Sequence, residues 1–170
     1  MNVTTSFNFL KLDDDTAELF RTINTAELNY TYEDYEGALT KIRKVAENTV
    51  YLIADRAFID LKARSTFHEN LLKIRDEIDN QTVIDTFFAL KDLGNDSAHN
   101  INPEKATKEN TLKALQDIFF ILVWFMRTYV SDEIQESQYT QFLEPRAQEL
   151  YQTAERKFIY IQTVENKDNL

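Results

Sequence analysis

The chain contains no cysteine, which excludes disulfide staples, thiolate metal sites and cysteine nucleophiles and suits a reducing compartment. Glycine and proline occur only twice each in 170 residues, so the turn residues that punctuate β-rich chains are nearly missing. Histidine also occurs twice, too rarely for a histidine-rich metal site. The longest apolar run, Ile118 to Met126, is nine residues, against the roughly 20 needed to cross a bilayer. No basic stretch followed by an apolar core opens the chain, so no secretory signal is read. The expectation is a cytoplasmic protein without a membrane partner.

What is present is a chain long enough for one ordinary core, burying roughly 70% of its unfolded surface. The formal net charge is -10, unevenly placed. Residues 1–36 carry 8 acids and 2 bases, residues 131–170 carry 8 acids and 4 bases, and the middle balances at 13 and 13. An acidic surface repels phosphate backbones, which disfavours strong stand-alone nucleic-acid binding while leaving room for a local basic patch.

Apolar residues recur at spacings of three and four with no sustained alternation, which predicts an all-α bundle of five or six helices with little or no strand. Asp13 to Asp15 suit the positive start of a first helix that turns Leu19, Phe20, Ile23 and Ala26 inward and ends near Tyr30. A second, from Glu33 or Asp34 to about Arg56, sets Ala38, Leu39, Ile42, Val45, Ala46, Thr49, Leu52 and Ile53 on one face. After a surface loop, Leu71, Leu72, Ile74 and Ile78 predict a third helix ending near Asn80. A fourth runs from about Thr82 through Val83, Ile84, Phe87, Phe88 and Leu90 into residues 94–99. Pro103, with Asn102 as cap, starts a fifth that reaches about Val130. Its apolar run lies on every side, so it must be covered all round. That makes it the centre of a bundle, part of a dimer interface, or both. Residues 1–130 therefore read as one helical domain and residues 131–170 as a polar connection and a last helix starting at Pro145.

If residues 89–100 are helical, Lys91, Asn95 and His99 stack on one stripe at spacing four, beside a bare stripe of Gly94 and Ala98. Such a row is either a site or a close helix contact in which His99 caps the helix end. Lys41, Arg43 and Lys44 form a small basic cluster that either touches nucleic acid or makes a solvated face paired with Glu47. Arg127, near the end of its helix, suits the helix dipole. His68 reads as a surface residue. Neither a phosphate-binding glycine loop nor a helicase motif, zinc pattern or serine triad occurs, so no metal or cofactor is expected.

The motif order is SFNFL at 6–10, EGALTKIRKVAENTVYLIA at 36–54, TFFALKDLGNDSAHN at 86–100 and TLKALQDIFFILVWFMRTY at 111–129. Together these resemble the HEPN-like domain of unknown function at the amino terminus of type I restriction enzyme R subunits and related helicases, over roughly residues 6–130. The resemblance implies an up-and-down helical bundle that forms homodimers or joins other restriction-modification subunits. It implies an accessory module that mediates assembly or positions nucleic acid. Some HEPN proteins cleave RNA without a metal, so the alternatives are a dimeric ribonuclease and a structural dimerisation module. In active members an arginine precedes the histidine by about a helical turn. Here His99 and Asn95 match, while the arginine's place falls on Gly94 or Lys91. For metal-free cleavage His99 would move a proton, Lys91 would supply charge and Asn95 would orient a phosphate or the imidazole. An ammonium lacks the planar fork by which arginine holds phosphate oxygens, so lysine is a poor replacement.

Overall fold

A computed structural model describes residues 5–95, 100–131 and 142–168. Six α-helices are found among them: α1 (Ala17–Thr31), α2 (Tyr35–Arg56), α3 (Phe67–Ile74), α4 (Gln81–Lys91), α5 (Lys108–Tyr129) and α6 (Pro145–Asp168). The only paired strands among the described residues are β1 (Gly94–Asn95) and β2 (Asn100–Ile101), antiparallel with Gly94 opposite Ile101. The chain is an all-α helical bundle, as the spacing predicts.

The α2 helix is the hub, packing against α1, α3, α4 and α5. Its inward stripe is broad enough for four neighbours, since Ala38, Leu39, Ile42, Val45, Ala46, Val50 and Ile53 are all fully or almost fully buried. Asp34 caps its start, accepting the Gly37 N–H at 3.0 Å. A Cβ at Gly37 would crowd the Asp34 carboxylate and the Asn29 amide, so a larger residue there would have to displace the cap's side chains. The tight turn before it puts Glu33 at φ 62°, and Phe58 after α2 sits at φ 56°, so neither left-handed position is held by glycine.

The apolar run of α5 is covered within this one chain. Ile118, Ile121, Leu122, Phe125 and Met126 are buried, Phe119, Val123 and Trp124 lean on the core, and only Phe120 reaches solvent appreciably. The centre of the bundle is therefore shared by α2 and α5. An aromatic cluster closes one side: the Phe7 ring lies 5.7 Å from Phe119 and 6.3 Å from Phe142, both edge-on.

Several predicted boundaries move. Asp13 and Asp15 do not cap α1; they pair with Arg56 at the end of α2, at 3.5 and 3.0 Å. The Thr16 hydroxyl instead donates to the Leu10 and Asp13 carbonyls, so α1 starts at Ala17 behind two short 3-10 turns, Asn8–Leu12 and Asp14–Thr16. The third helix stops at Ile74; a 3-10 turn follows, and Asn80 caps α4 by accepting from Val83 N–H. Pro103 opens a 3-10 turn, while α5 begins at Lys108 under a Thr107 cap. Thr107 wins because its hydroxyl reaches the Asn110 N–H at 3.1 Å, whereas Asn102 makes no side-chain cap bond. His68 is half-buried, edge-on to Phe88 with ring centroids 6.0 Å apart, and so is not a plain surface residue.

Candidate functional site

The segment between α4 and α5 carries the sequence-predicted row, and its geometry differs from a helical stripe. The α4 helix ends at Lys91, the chain turns at Asp92 and Leu93, and Gly94–Asn95 enter the two-residue ladder. The Asn102 N–H donates to the Leu93 carbonyl at 3.0 Å, extending the pairing by one rung. Lys91 and Asn95 are thus not one helical turn apart on a common stripe. His99 lies outside the described residues, as does Ala98, between the paired Asn95 and Asn100. At its end Asp92 N–H still makes the ordinary helical bond to the Phe88 carbonyl, and Leu93 N–H then bonds the Leu90 carbonyl in a tightened final turn before the chain enters the ladder. The Lys91 carbonyl faces Arg43.

Arg43 is the residue around which this region is organised. It is 4% exposed, although its neighbours in the sequence-predicted basic cluster, Lys41 and Lys44, are half-buried and exposed. Its Nη1 pairs with Glu47 at 3.2 Å. Nε donates to the Lys91 carbonyl at 3.4 Å, and the guanidinium carbon lies 5.5 Å from the Phe67 ring centre. Arg43 therefore joins α2 to the end of α4 and the start of α3, and its stem is pressed against Gly94. The cluster Lys41, Arg43, Lys44 does not form one solvent-facing row: position 43 falls on the inward stripe with Leu39, Ile42 and Ala46.

Two hollows meet at Glu47. A small one of about 220 Å³ is lined by Thr40, Arg43, Lys44, Glu47 and Ile101. A cleft of about 380 Å³ shares Glu47 with it and has Tyr51, Arg64, Thr66 and Asn70 on its walls. Lys91 has its ammonium 2.7 Å from the neighbouring Asp92 carboxylate, which offsets its charge locally. Arg127 lines a separate open groove with Asp79, Phe120 and Trp124. Among the described residues no group of three histidine, aspartate or glutamate side chains could hold a metal ion.

Gly94 provides a direct test of the hairpin clamp. Its φ is ordinary, so the demand is for space: a Cβ there would sit 2.7 Å from the Asn100 carbonyl oxygen and 3.2 Å from Arg43 Nε. We expect Gly94→Ala to force the two strands or Arg43 apart and to cost about 1–3 kcal/mol, the usual range for overpacking. Thermal unfolding, with amide exchange at Asn102 as the local reporter, checks this. An unchanged melting temperature with slow Asn102 exchange would show that the hairpin is not clamped.

Sequence reasoning missed a second polar cluster. Glu27 on α1 is buried, accepts from the Thr5 hydroxyl, and faces the Gln148 amide of α6 at 3.4 Å. Gln148 also donates to Ser6 Oγ at 3.0 Å and to the Leu143 carbonyl at 2.9 Å. Burial pushes the Glu27 carboxyl up to about 7, against the opposing hydrogen bonds from Thr5 and Gln148.

No protein family, no curated protein and no solved structure matches this chain.

Proposed function

We propose that the chain is an accessory, non-motor, HEPN-like module of a type I restriction R subunit or related cytoplasmic defence protein, and that it acts by protein assembly through α6. One observation carries this reading. Every described side chain from Thr153 to Lys167 is exposed, among them Phe158, Ile159, Tyr160, Ile161 and Val164. Contiguous apolar surface of this kind marks contact sites. Phe158 and Ile161, three residues apart, share one face and offer a seam for a facing helix. Burying each such side chain contributes about 1.5–3 kcal/mol, enough in sum to outweigh part of the entropy lost on association. The partner is a second copy of the chain or another subunit of the same system.

The second reading, a metal-independent ribonuclease, has one contact in its favour: the Arg43 guanidinium stands at Gly94 and the Lys91 carbonyl, at the root of the segment containing His99. Against it, that guanidinium is already engaged by Glu47.

Sedimentation of the wild type and of the Phe158→Ser/Ile161→Ser/Val164→Ser variant, with an RNA cleavage assay in chelator, separates the two. We expect a self-associating wild type, a monomeric variant of unchanged helicity, and intact RNA. A monomer at every concentration that cuts RNA and loses cutting in His99→Ala would replace assembly by catalysis.

A further inference from the structure

The attachment of α6 to the bundle is narrow. Among its described side chains only Pro145 and Gln148 are buried, and of the other helices it packs chiefly on α1. At that junction stands Glu27, a carboxyl group with no cation paired to it among the described residues. From the amino-terminal segment it meets the Thr5 hydroxyl, with Ser6 behind Gln148. Among the described side chains of α6 it meets the Gln148 amide. Tyr30, one turn further along α1, stands among charged groups that are already engaged. Glu144, just before α6, accepts from the Tyr30 hydroxyl of α1 and lies 3.9 Å from the Lys108 ammonium of α5. Glu109 of α5 and Tyr35 of α2 also face Tyr30.

We propose that Glu27 is a proton-operated latch, which holds α6 and residues 5–6 against α1 while neutral and loosens them when ionised. A neutral carboxyl fits the junction: its O–H and the Thr5 hydroxyl can donate in either direction, because Thr5 Oγ1 already accepts from the Phe7 N–H at 3.0 Å and keeps a lone pair free. An ionised carboxyl has only two neutral dipoles to replace its water, and burying a charge on those terms is costly. Released with α6, Glu27 regains water and its ordinary carboxyl behaviour.

The sign follows from linkage. A carboxyl held near 7 when docked and at the ordinary 4.5 when free binds its proton more tightly in the docked state. Docking is therefore fully supported below about 4.5, weakens as pH rises to about 7 and levels off above. The latch is independent of what α6 binds, since it acts within one chain. It predicts that α6 is more securely docked in mildly acid solution.

Carbon-13 detection of the Glu27 carboxyl in the full chain, together with amide exchange at residues 143–150 corrected for the intrinsic rate, tests this between pH 4.5 and 8. We expect Glu27 to titrate near 7 and protection at 143–150 to fall by tens of fold between pH 5 and 8, flattening above 7, while α2 amides keep theirs. In Glu27→Gln the pH dependence should vanish. In Thr5→Val, which removes a bond favouring the charged form, the Glu27 midpoint should rise. Titration of wild-type Glu27 below pH 5, unchanged protection across the range, or wild-type pH dependence persisting in Glu27→Gln would each overturn the latch. The wild-type titration and exchange decide it even if Glu27→Gln does not fold.

Discussion

Replacing Phe7 by alanine should lower the melting temperature by about 10 °C, the consequence of losing about 3–5 kcal/mol from a domain of this size. Phe7 is fully buried. Its ring packs edge-on against Phe119 and Phe142 and 6.4 Å from Phe9, while Phe119 also meets Phe9 at 5.7 Å. The cluster fastens three segments distant in sequence: the first 3-10 turn, the middle of α5, and the stretch leading into α6. Truncation removes both the transfer free energy of the ring and its edge-to-face partners, and the surrounding backbone belongs to different elements that cannot all collapse inward together. The control is Tyr32→Ala. That ring is 80% exposed, and its loss should change stability by no more than about 0.5 kcal/mol. Differential scanning calorimetry on both variants settles the comparison. Equal shifts would mean that the amino-terminal turn is not part of the cooperative unit.

The helices were legible because their apolar spacing survives inspection residue by residue. The α2 stripe is the clearest case, and its Asp34 start was readable as well. Boundaries failed where side chains compete for backbone. Asp13 and Asp15 look like cap residues until Arg56, 41 to 43 positions away in sequence, claims them. Thr107 displaces Pro103 as the start of α5 through a hydroxyl bond that no periodicity reveals. Beyond Lys91 the spacing of four from Lys91 through Asn95 to His99, beside a bare stripe of Gly94 and Ala98, suggests a continuing helix. The ladder from Gly94 to Ile101 depends on Arg43, Gly94 and Asn102 meeting from different elements, which local pattern does not contain. Glu27 did leave a trace: it lies one turn from both Ile23 and Tyr30, on the inward stripe of α1. A carboxyl on an apolar stripe is a signal of a buried polar junction, although its partners Thr5 and Gln148 could not be named from spacing.

For Arg43→Met we expect a loss of about 2–3 kcal/mol, read as a lower denaturation midpoint with an unchanged slope. Methionine keeps much of the aliphatic volume, so the loss measures the guanidinium rather than a cavity. Breaking a buried ion pair costs about 3–5 kcal/mol when the abandoned charge has no water. Glu47 retains 28% exposure of its side chain, so solvent recovers part of that cost. The Lys91 carbonyl and the face of Phe67 lose their cation at the same time. Arg43→Lys should fall between the two, because an ammonium cannot reach Glu47 and the carbonyl with one planar fork. Adding Glu47→Met to Arg43→Met should recover part of the loss by removing the carboxylate that faced the guanidinium, a coupling that a double-mutant cycle measures directly. The basic cluster on α2 gives the opposing expectation. If Arg43 acted with Lys41 and Lys44 as a phosphate contact, Arg43→Met would leave the midpoint unchanged and reduce the salt dependence of nucleic-acid binding. Its 4% exposure and its contacts with Glu47, the Lys91 carbonyl and the Phe67 ring favour the stability loss. The same substitution should speed amide exchange at Asn102, since Arg43 is what the hairpin rests on.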